Sequence, residues 1–257
     1  MIQLEPEKKR NDQLKLRLKK IIKAKEELSK TKHSENQLIF RDAYNVDRNL
    51  PVLFKGKSLM DYELPNQNNL RIRVLHPDKP EHITGADLVY EYHHKDSEQV
   101  SLVFIQYKIW KNKRMYVSDP RLEKQLEKLK RNTCDKGLCK CEIKNKGFRF
   151  PFCSSFLRPT DALQSADQTL ISSGEHIPIC ALGELIDTGR RGGEYIDYKG
   201  IKKHSISGIL FEELFNRGKI GSKSFSYYEL EEYYKSLELI ESDGSVIIYA
   251  QELGRKK

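Results

Sequence analysis

Residues 85–110 read GADLVYEYHHKDSEQVSLVFIQYKIW, and the fold is decided in them. They read as two strands joined by a polar turn from His93 to Ser97. Val100 to Trp110 is an almost unbroken apolar and aromatic run, the pattern of a strand covered on both faces. Gln106 and Lys108 interrupt it. With a period of two, both leave one face of the strand while Val103, Ile105 and Tyr107 leave the other. Asp87 stands near the start of the preceding strand, and Glu91 shares its face. A hairpin pairing brings Asp87 within reach of Gln106 and Lys108. A buried unpaired charge is costly, so a carboxylate and an ammonium set into core strands need each other, a metal or a ligand.

Gly85-Ala86-Asp87 followed by Ile105-Gln106-Tyr107-Lys108 resembles the signature of the PD-(D/E)xK nuclease superfamily, in its Mrr-like branch, where Gln-x-Lys replaces Glu-x-Lys. The resemblance implies a restriction-endonuclease-like αβββαβ core of the α/β class. It also implies that Asp87 binds a catalytic Mg²⁺ and that Gln106 positions the ion or its water. Lys108 would then orient the attacking water or stabilise charge on the phosphate. Glutamine is a weaker ligand than glutamate, so Glu91 or an upstream acid such as Glu35 or Glu63 would complete the set. The alternative reading of the same residues is structural: Asp87 caps a turn and Lys108 snorkels from a sheet edge.

The chain has 257 residues, 46 basic and 37 acidic, for a formal charge of +9. That suits one elaborated domain or two small ones. The charge favours a polyanion, whose phosphates attract by counterion release, and the resemblance implies that this partner is DNA. Lys111, Lys113 and Arg114, after the lysine strand, and Arg190 with Arg191 in Gly189-Arg190-Arg191-Gly192-Gly193 are the candidate phosphate contacts. A solvated lysine-rich surface is the bland alternative. No apolar run approaches a membrane span, and the first residues lack the apolar core of a signal peptide, so the expectation is a soluble cytoplasmic protein.

Flanking segments fill in the organisation. Leu14, Leu18, Ile21 and Leu28 stripe a basic helix from about Glu7 to Gln37, which packs on the body or on a second copy in a homodimer. This helix makes a first unit of residues 1–40. Ser58–Glu63 reads as a short helix and Leu70–His76 as a strand, followed by a turn at Pro77–Pro80. Asp119 and Pro120 open a helix to about Arg131. Phe148–Leu157 reads as a strand, Pro159 as a helix start, and His176–Leu182 as a further strand. These segments give a core over residues 41–204. From about Ser205, two helices and an Asp-Gly hairpin read as a small winged-helix-like α+β appendage, residues 205–257.

Cys134, Cys139, Cys141 and Cys153 lie in one Cys-rich insertion at about 132–154. Four clustered thiols match the coordination of a structural Zn²⁺, although C-x4-C-x-C-x11-C is not a standard finger. Loop thiols plus one small core residue are the alternative.

Three functions follow as expectations. The resemblance implies a metal-dependent DNA endonuclease, suited to restriction or antiviral defence. No P-loop motif is present, so a nucleotide-driven step would need a nucleotide-hydrolysing or activating partner protein. A non-catalytic nucleic-acid-binding or assembly subunit of the same fold and an oligomeric scaffold are the alternatives.

Overall fold

The computed structural model describes residues 11–22, 30–139, 153–165 and 170–238. It is a mixed α/β structure organised on one large sheet. In chain order the elements begin with helix α1 (residues 11–22), strand β1 (Thr31–Lys32) and helix α2 (Glu35–Phe40), the last running into a π-helical turn at Arg41–Asn45. Strands β2 (Val52–Lys55), β3 (Leu59–Glu63) and β4 (Asn69–Val74), helix α3 (Lys79–Thr84), and strands β5 (Leu88–His94), β6 (Gln99–Trp110) and β7 (Arg114–Tyr116) follow. After helix α4 (Pro120–Asn132) come β8 (Ser155–Asp161), β9 (Leu163–Gln164), β10 (Glu175–Pro178), β11 (Asp187–Thr188) and β12 (Glu194–Asp197). The described part closes with α5 (Tyr198–Ile201), β13 (Ile206–Ser207), α6 (Gly208–Asn216), β14 (Phe225–Ser226) and α7 (Tyr227–Ser236).

The large sheet has the order β13-β10-β8-β6-β5-β4-β3-β2, with β14 also pairing β6. β5 and β6 form the expected antiparallel hairpin, with Leu88 opposite Ile105. β8 lies parallel to β6 on the other side, reached through α4, while the other pairings are antiparallel. The alternation along β6 sorts two cores. Leu102, Phe104 and Trp110 join Leu122 and Leu129 of α4 and Leu230, Tyr233 and Tyr234 of α7. Val103, Ile105 and Tyr107 join Leu38 and Ile39 of α2 and Phe211 and Phe215 of α6. Apolar residues on both faces are thus what a central strand with two helical layers requires.

Beneath the second face lies a buried ion pair. Arg158 on β8, without exposed surface, donates to Asp42 Oδ2 at 2.6 Å, and the Tyr107 hydroxyl donates to the same oxygen at 3.0 Å. Ser172 N–H satisfies the other carboxylate oxygen at 2.7 Å, so both oxygens of the desolvated Asp42 carboxylate are hydrogen-bonded.

Several expectations are corrected. The helix from Glu7 to Gln37 is interrupted, because Thr31 and Lys32 pair with Gln164 and Leu163. Ser34 then starts α2 afresh through a reciprocal capping box with Gln37. The segment Ser58–Glu63 is extended rather than helical, with Leu59–Glu63 forming β3. Its Met60, Asp61 and Tyr62 are all buried, and Asp61 is held by a bidentate pair with Arg71. Pro159 does not begin a helix but continues the buried strand β8. Helix α3 begins within the turn expected at Pro77–Pro80, and of the strand expected over His176–Leu182 only the first three residues, the end of β10, are extended before a 3₁₀ turn. The helices assigned to an appendage are integral: α6 and α7 bury their apolar sides on opposite faces of the main sheet. The Asp-Gly hairpin and most of the Cys-rich insertion lie outside the described residues.

Candidate metal centre

The site forms where β4 ends and β5 begins, alongside β6 and beside α3 and α4. Leu75, just past β4, donates its N–H to Asp87 O at 2.8 Å, and Asp87 N–H donates to Ile105 O at 2.8 Å. These bonds set His76, Asp87 and Gln106 on three neighbouring segments. Helix α3 contributes Glu81 and ends at Gly85, whose φ of +73° is left-handed. A Cβ at Gly85 would stand 2.2 Å from Gln125 O, so only glycine lets the chain pass α4 this closely. One face of α4 then fastens α3. Gln125 donates to Glu81 Oε1 at 3.0 Å, Lys128 to His82 O at 2.6 Å, and Asn132 to Ile83 O at 2.8 Å.

Three potential ligand atoms of His76, Glu81 and Asp87 lie within 4.8 Å of one another, the one such His/Cys/Asp/Glu group among the described residues. His76 Nδ1 is 2.7 Å from Glu81 Oε2 and 3.3 Å from Asp87 Oδ1. It is aligned for a hydrogen bond to neither, and Asp87 Oδ1 is buried without a hydrogen-bond partner. The other oxygen, Oδ2, accepts from Gln106 Nε2 at 2.7 Å and from Tyr107 N–H at 2.6 Å. Gln106 must present its nitrogen there, since the reverse orientation sets two acceptors together. Its Oε1 is left buried and unpartnered.

Burial pushes the Asp87 carboxyl up to about 6, against the opposing pull of His76, the Tyr107 N–H and Lys108. The His76 imidazolium is favoured in turn by the Asp87 and Glu81 carboxylates, burial opposing, so its pKa is raised. Two carboxylates and one imidazole, with Asp87 Oδ1 buried and accepting no hydrogen bond, are a donor set of the kind that can hold a divalent cation.

Lys108 leaves the same face of β6 as Gln106 and donates to Glu35 Oε1 at 2.7 Å. Both side chains keep some exposure, 21% for Lys108 and 28% for Glu35. Of the expected residues, Asp87 and Gln106 meet directly, with Lys108 beside them. Glu35, named as a possible upstream acid, reaches Lys108, whereas Glu63 at the end of β3 is not part of the group.

Glu91 does not join, which corrects its assignment as a catalytic residue. Four residues along β5 it is committed to another buried network, with Arg73 at 2.9 Å, His93 at 3.0 Å and the Tyr234 hydroxyl at 2.7 Å. His76 and Glu81 were missed by sequence reasoning. Their signal was the unrecognised helix α3, with Asp78 before it, Pro80 in its first turn and Gly85 after it.

The cysteines are divided. Cys134 and Cys139 Sγ lie 3.7 Å apart, and Cys139 Sγ also meets Ser154 Oγ at 2.9 Å. Contact with Cys134, then burial, pushes the Cys139 thiol up. Cys153 is buried in the cluster that holds Phe156, and these three cysteines make no compact ligand group among the described residues. Cys141 lies outside those residues.

Lys111 and Lys113 lie in the turn from β6 to β7, Arg114 opens β7, and Arg190 and Arg191 form the turn between β11 and β12. β7 and β12 pair, so both turns belong to one three-stranded sheet. No helix among the described residues is long and apolar enough to cross a membrane. No family model matches this chain, and no curated protein and no solved structure matches it.

Proposed function

We propose that the protein is a metal-dependent phosphodiesterase acting on nucleic acid, an endonuclease of PD-(D/E)xK type. The observation that carries this reading is the convergence of His76, Glu81 and Asp87 beside Gln106 and Lys108. The order α2, β4-β5-β6, α4 and the parallel β8 also agrees with the αβββαβ core that the resemblance implies. A role in restriction or antiviral defence belongs to the same proposal.

His76, Glu81 and Asp87 would hold the ion, Mg²⁺ or Mn²⁺. When bound, such an ion supplies Lewis acidity to a phosphoryl oxygen. Gln106 holds Asp87 in place through its carboxamide nitrogen. Lys108 offers N–H donors to a phosphate oxygen as negative charge grows there, and Glu35 orients the ammonium. Hydrolysis adds the oxygen of water to phosphorus and expels one ester oxygen, leaving a phosphomonoester and a hydroxyl end. Zinc at Cys134 and Cys139 is a separate structural proposal. Their 3.7 Å separation suits one edge of a tetrahedral thiolate site with Zn–S near ~2.3 Å.

The test is digestion of plasmid, linear duplex and single-stranded DNA or RNA with Mg²⁺, Mn²⁺ or EDTA. Wild type is compared with Asp87→Asn and Lys108→Ala after circular dichroism shows both folded. Metal-dependent cutting lost in both variants supports the reading; no cutting of any substrate by wild type overturns it. A second reading, a non-catalytic nucleic-acid-binding subunit, is favoured by one fact: the residue opposite Asp87 is a glutamine whose nitrogen is spent on it.

A further inference from the structure

A cleft of about 790 Å³ opens from Lys108 across the β6–β7 turn to α5 and the start of α4. Asp119 and Leu122 of α4 line it, and one turn further along that helix Gln125 holds Glu81. The cleft and the candidate metal centre therefore share a helix and a lysine. Five of the lining side chains are basic and two acidic. Lys113 and Arg114 are partly neutralised, by Asp161 at 2.6 Å and Asp197 at 3.4 Å, while Lys111 and Lys199 have no ion-pair partner among the described residues.

Aromatic rings stand among these cations. Tyr116 is 63% exposed and Tyr198 37%. They are braced from behind. Tyr198 meets the buried Trp110 edge-on at 6.3 Å, and Tyr116 meets Tyr195 at 6.4 Å. Lys113 Nζ sits 5.0 Å from the Trp110 ring, and Arg114 lies 4.2 Å over the Tyr195 ring. The turn carrying Arg190 and Arg191 folds back here as well, since a Cβ on Gly193 would be 3.6 Å from the Tyr116 ring.

Cations that track a phosphate backbone, interleaved with exposed aromatic rings, are the composition of a single-strand platform. A paired duplex hides its base faces, so exposed tyrosines gain little from it. An unpaired base offers a π-face to each ring. We propose that this cleft binds unpaired nucleic acid, with Tyr116 and Tyr198 stacking bases and Lys111 and Lys199 contacting phosphates. It thereby selects single strands, overhangs or frayed ends for the adjoining site. The inference deepens the phosphodiesterase reading and rests on it for the class of substrate, whereas its test is one of binding.

The experiment is fluorescence anisotropy of labelled oligothymidylate, oligouridylate and a mixed-sequence duplex, with full-length protein in EDTA so that nothing is cut. The expected result is that one or both single strands bind at least about tenfold more tightly than the duplex, with their ratio distinguishing DNA from RNA. Tyr116→Ala should weaken that binding by about tenfold and Tyr116→Trp should restore it, because stacking needs a ring rather than a hydroxyl. Tyr116 is largely exposed, so loss of folding does not cloud the comparison. Equal or tighter duplex binding, no effect of Tyr116→Ala, or equally effective competition by polyglutamate would each overturn the proposal. Single-strand binding without cleavage in any metal would uphold the cleft and sink the hydrolase. Cleavage of duplex with no single-strand preference would do the reverse.

Discussion

Gln106 donates its carboxamide nitrogen to Asp87 Oδ2 at 2.7 Å, and its own oxygen is buried with no partner. Exchanging that carboxamide for a carboxylate sets two buried anions against each other. Gln106→Glu should therefore destabilise the metal-free protein by on the order of 3 kcal/mol. In a chain of this size that lowers Tm by roughly 6–12 °C. A divalent ion should restore more than it does for wild type, because the new carboxylate is the stronger ligand. Thermal unfolding with and without Mn²⁺ reads both effects. A variant as stable as wild type without metal would show that Asp87 and Gln106 are not held against each other as found.

Gly85 allows α3 to end against the backbone of α4. Gly85→Ala must accommodate both a left-handed φ of +73° and a Cβ placed 2.2 Å from Gln125 O. The loss should reach about 2–4 kcal/mol, more than an ordinary glycine substitution, since the obstacle is backbone rather than a movable side chain. Because Glu81 and Asp87 flank the obstruction, affinity for a divalent ion should fall with stability. Urea unfolding and a metal titration check the two together.

Much of this was legible because β6 states its environment in its own alternation. Apolar residues on both faces fix a central strand, and the exceptions, Gln106 and Lys108, mark the face where something polar is held. Asp119 before Pro120 likewise marked the start of α4 directly. His76 and Glu81 were not legible as a pair, since their meeting depends on how a six-residue helix is fastened by Gln125, Lys128 and Asn132. Glu91 misled for the opposite reason. Sharing a face with Asp87 is a local property, but its partners Arg73 and Tyr234 come from another strand and from α7. The same limit explains the appendage, because nothing local to α6 or α7 says that they cover opposite faces of one sheet.

The Glu91 network makes a pH prediction of definite sign. Burial alone would raise its pKa, but Arg73, His93 and Arg71 override this and hold the carboxyl well below the usual value of 4.5. A depressed folded-state pKa contributes stability that is fully present above the unfolded value and is lost as pH falls through the folded one. Wild type should thus lose stability steadily below about pH 4.5, where the unfolded chain takes up the proton first. Glu91→Gln should be less stable at neutral pH by about 3 kcal/mol, with a flatter acid limb. Its affinity for divalent ions should be unchanged, since Glu91 lies outside the metal group. Chemical denaturation at several pH values, with one metal titration, separates this role from that of a ligand.

Under the proposed metal-binding reading, the chemistry of the donor set decides which ion is favoured. Oxygen ligands alone suit Mg²⁺, which gives up water reluctantly, whereas imidazole suits the later first-row ions. His76 Nδ1 faces both Glu81 and Asp87, so one nitrogen sits among the oxygens. Mn²⁺ should bind about tenfold or more tightly than Mg²⁺. His76→Asp replaces the nitrogen by an oxygen ligand and should narrow that gap, while His76→Ala should weaken both ions. Loss of the free-Mn²⁺ electron paramagnetic resonance signal on titration, with Mg²⁺ as competitor, measures the order without any need for turnover. If His76→Ala binds Mn²⁺ as wild type does, the imidazole is not a ligand. Glu81 and Asp87 would then be left to hold the ion with oxygens alone, and the preference should revert toward Mg²⁺.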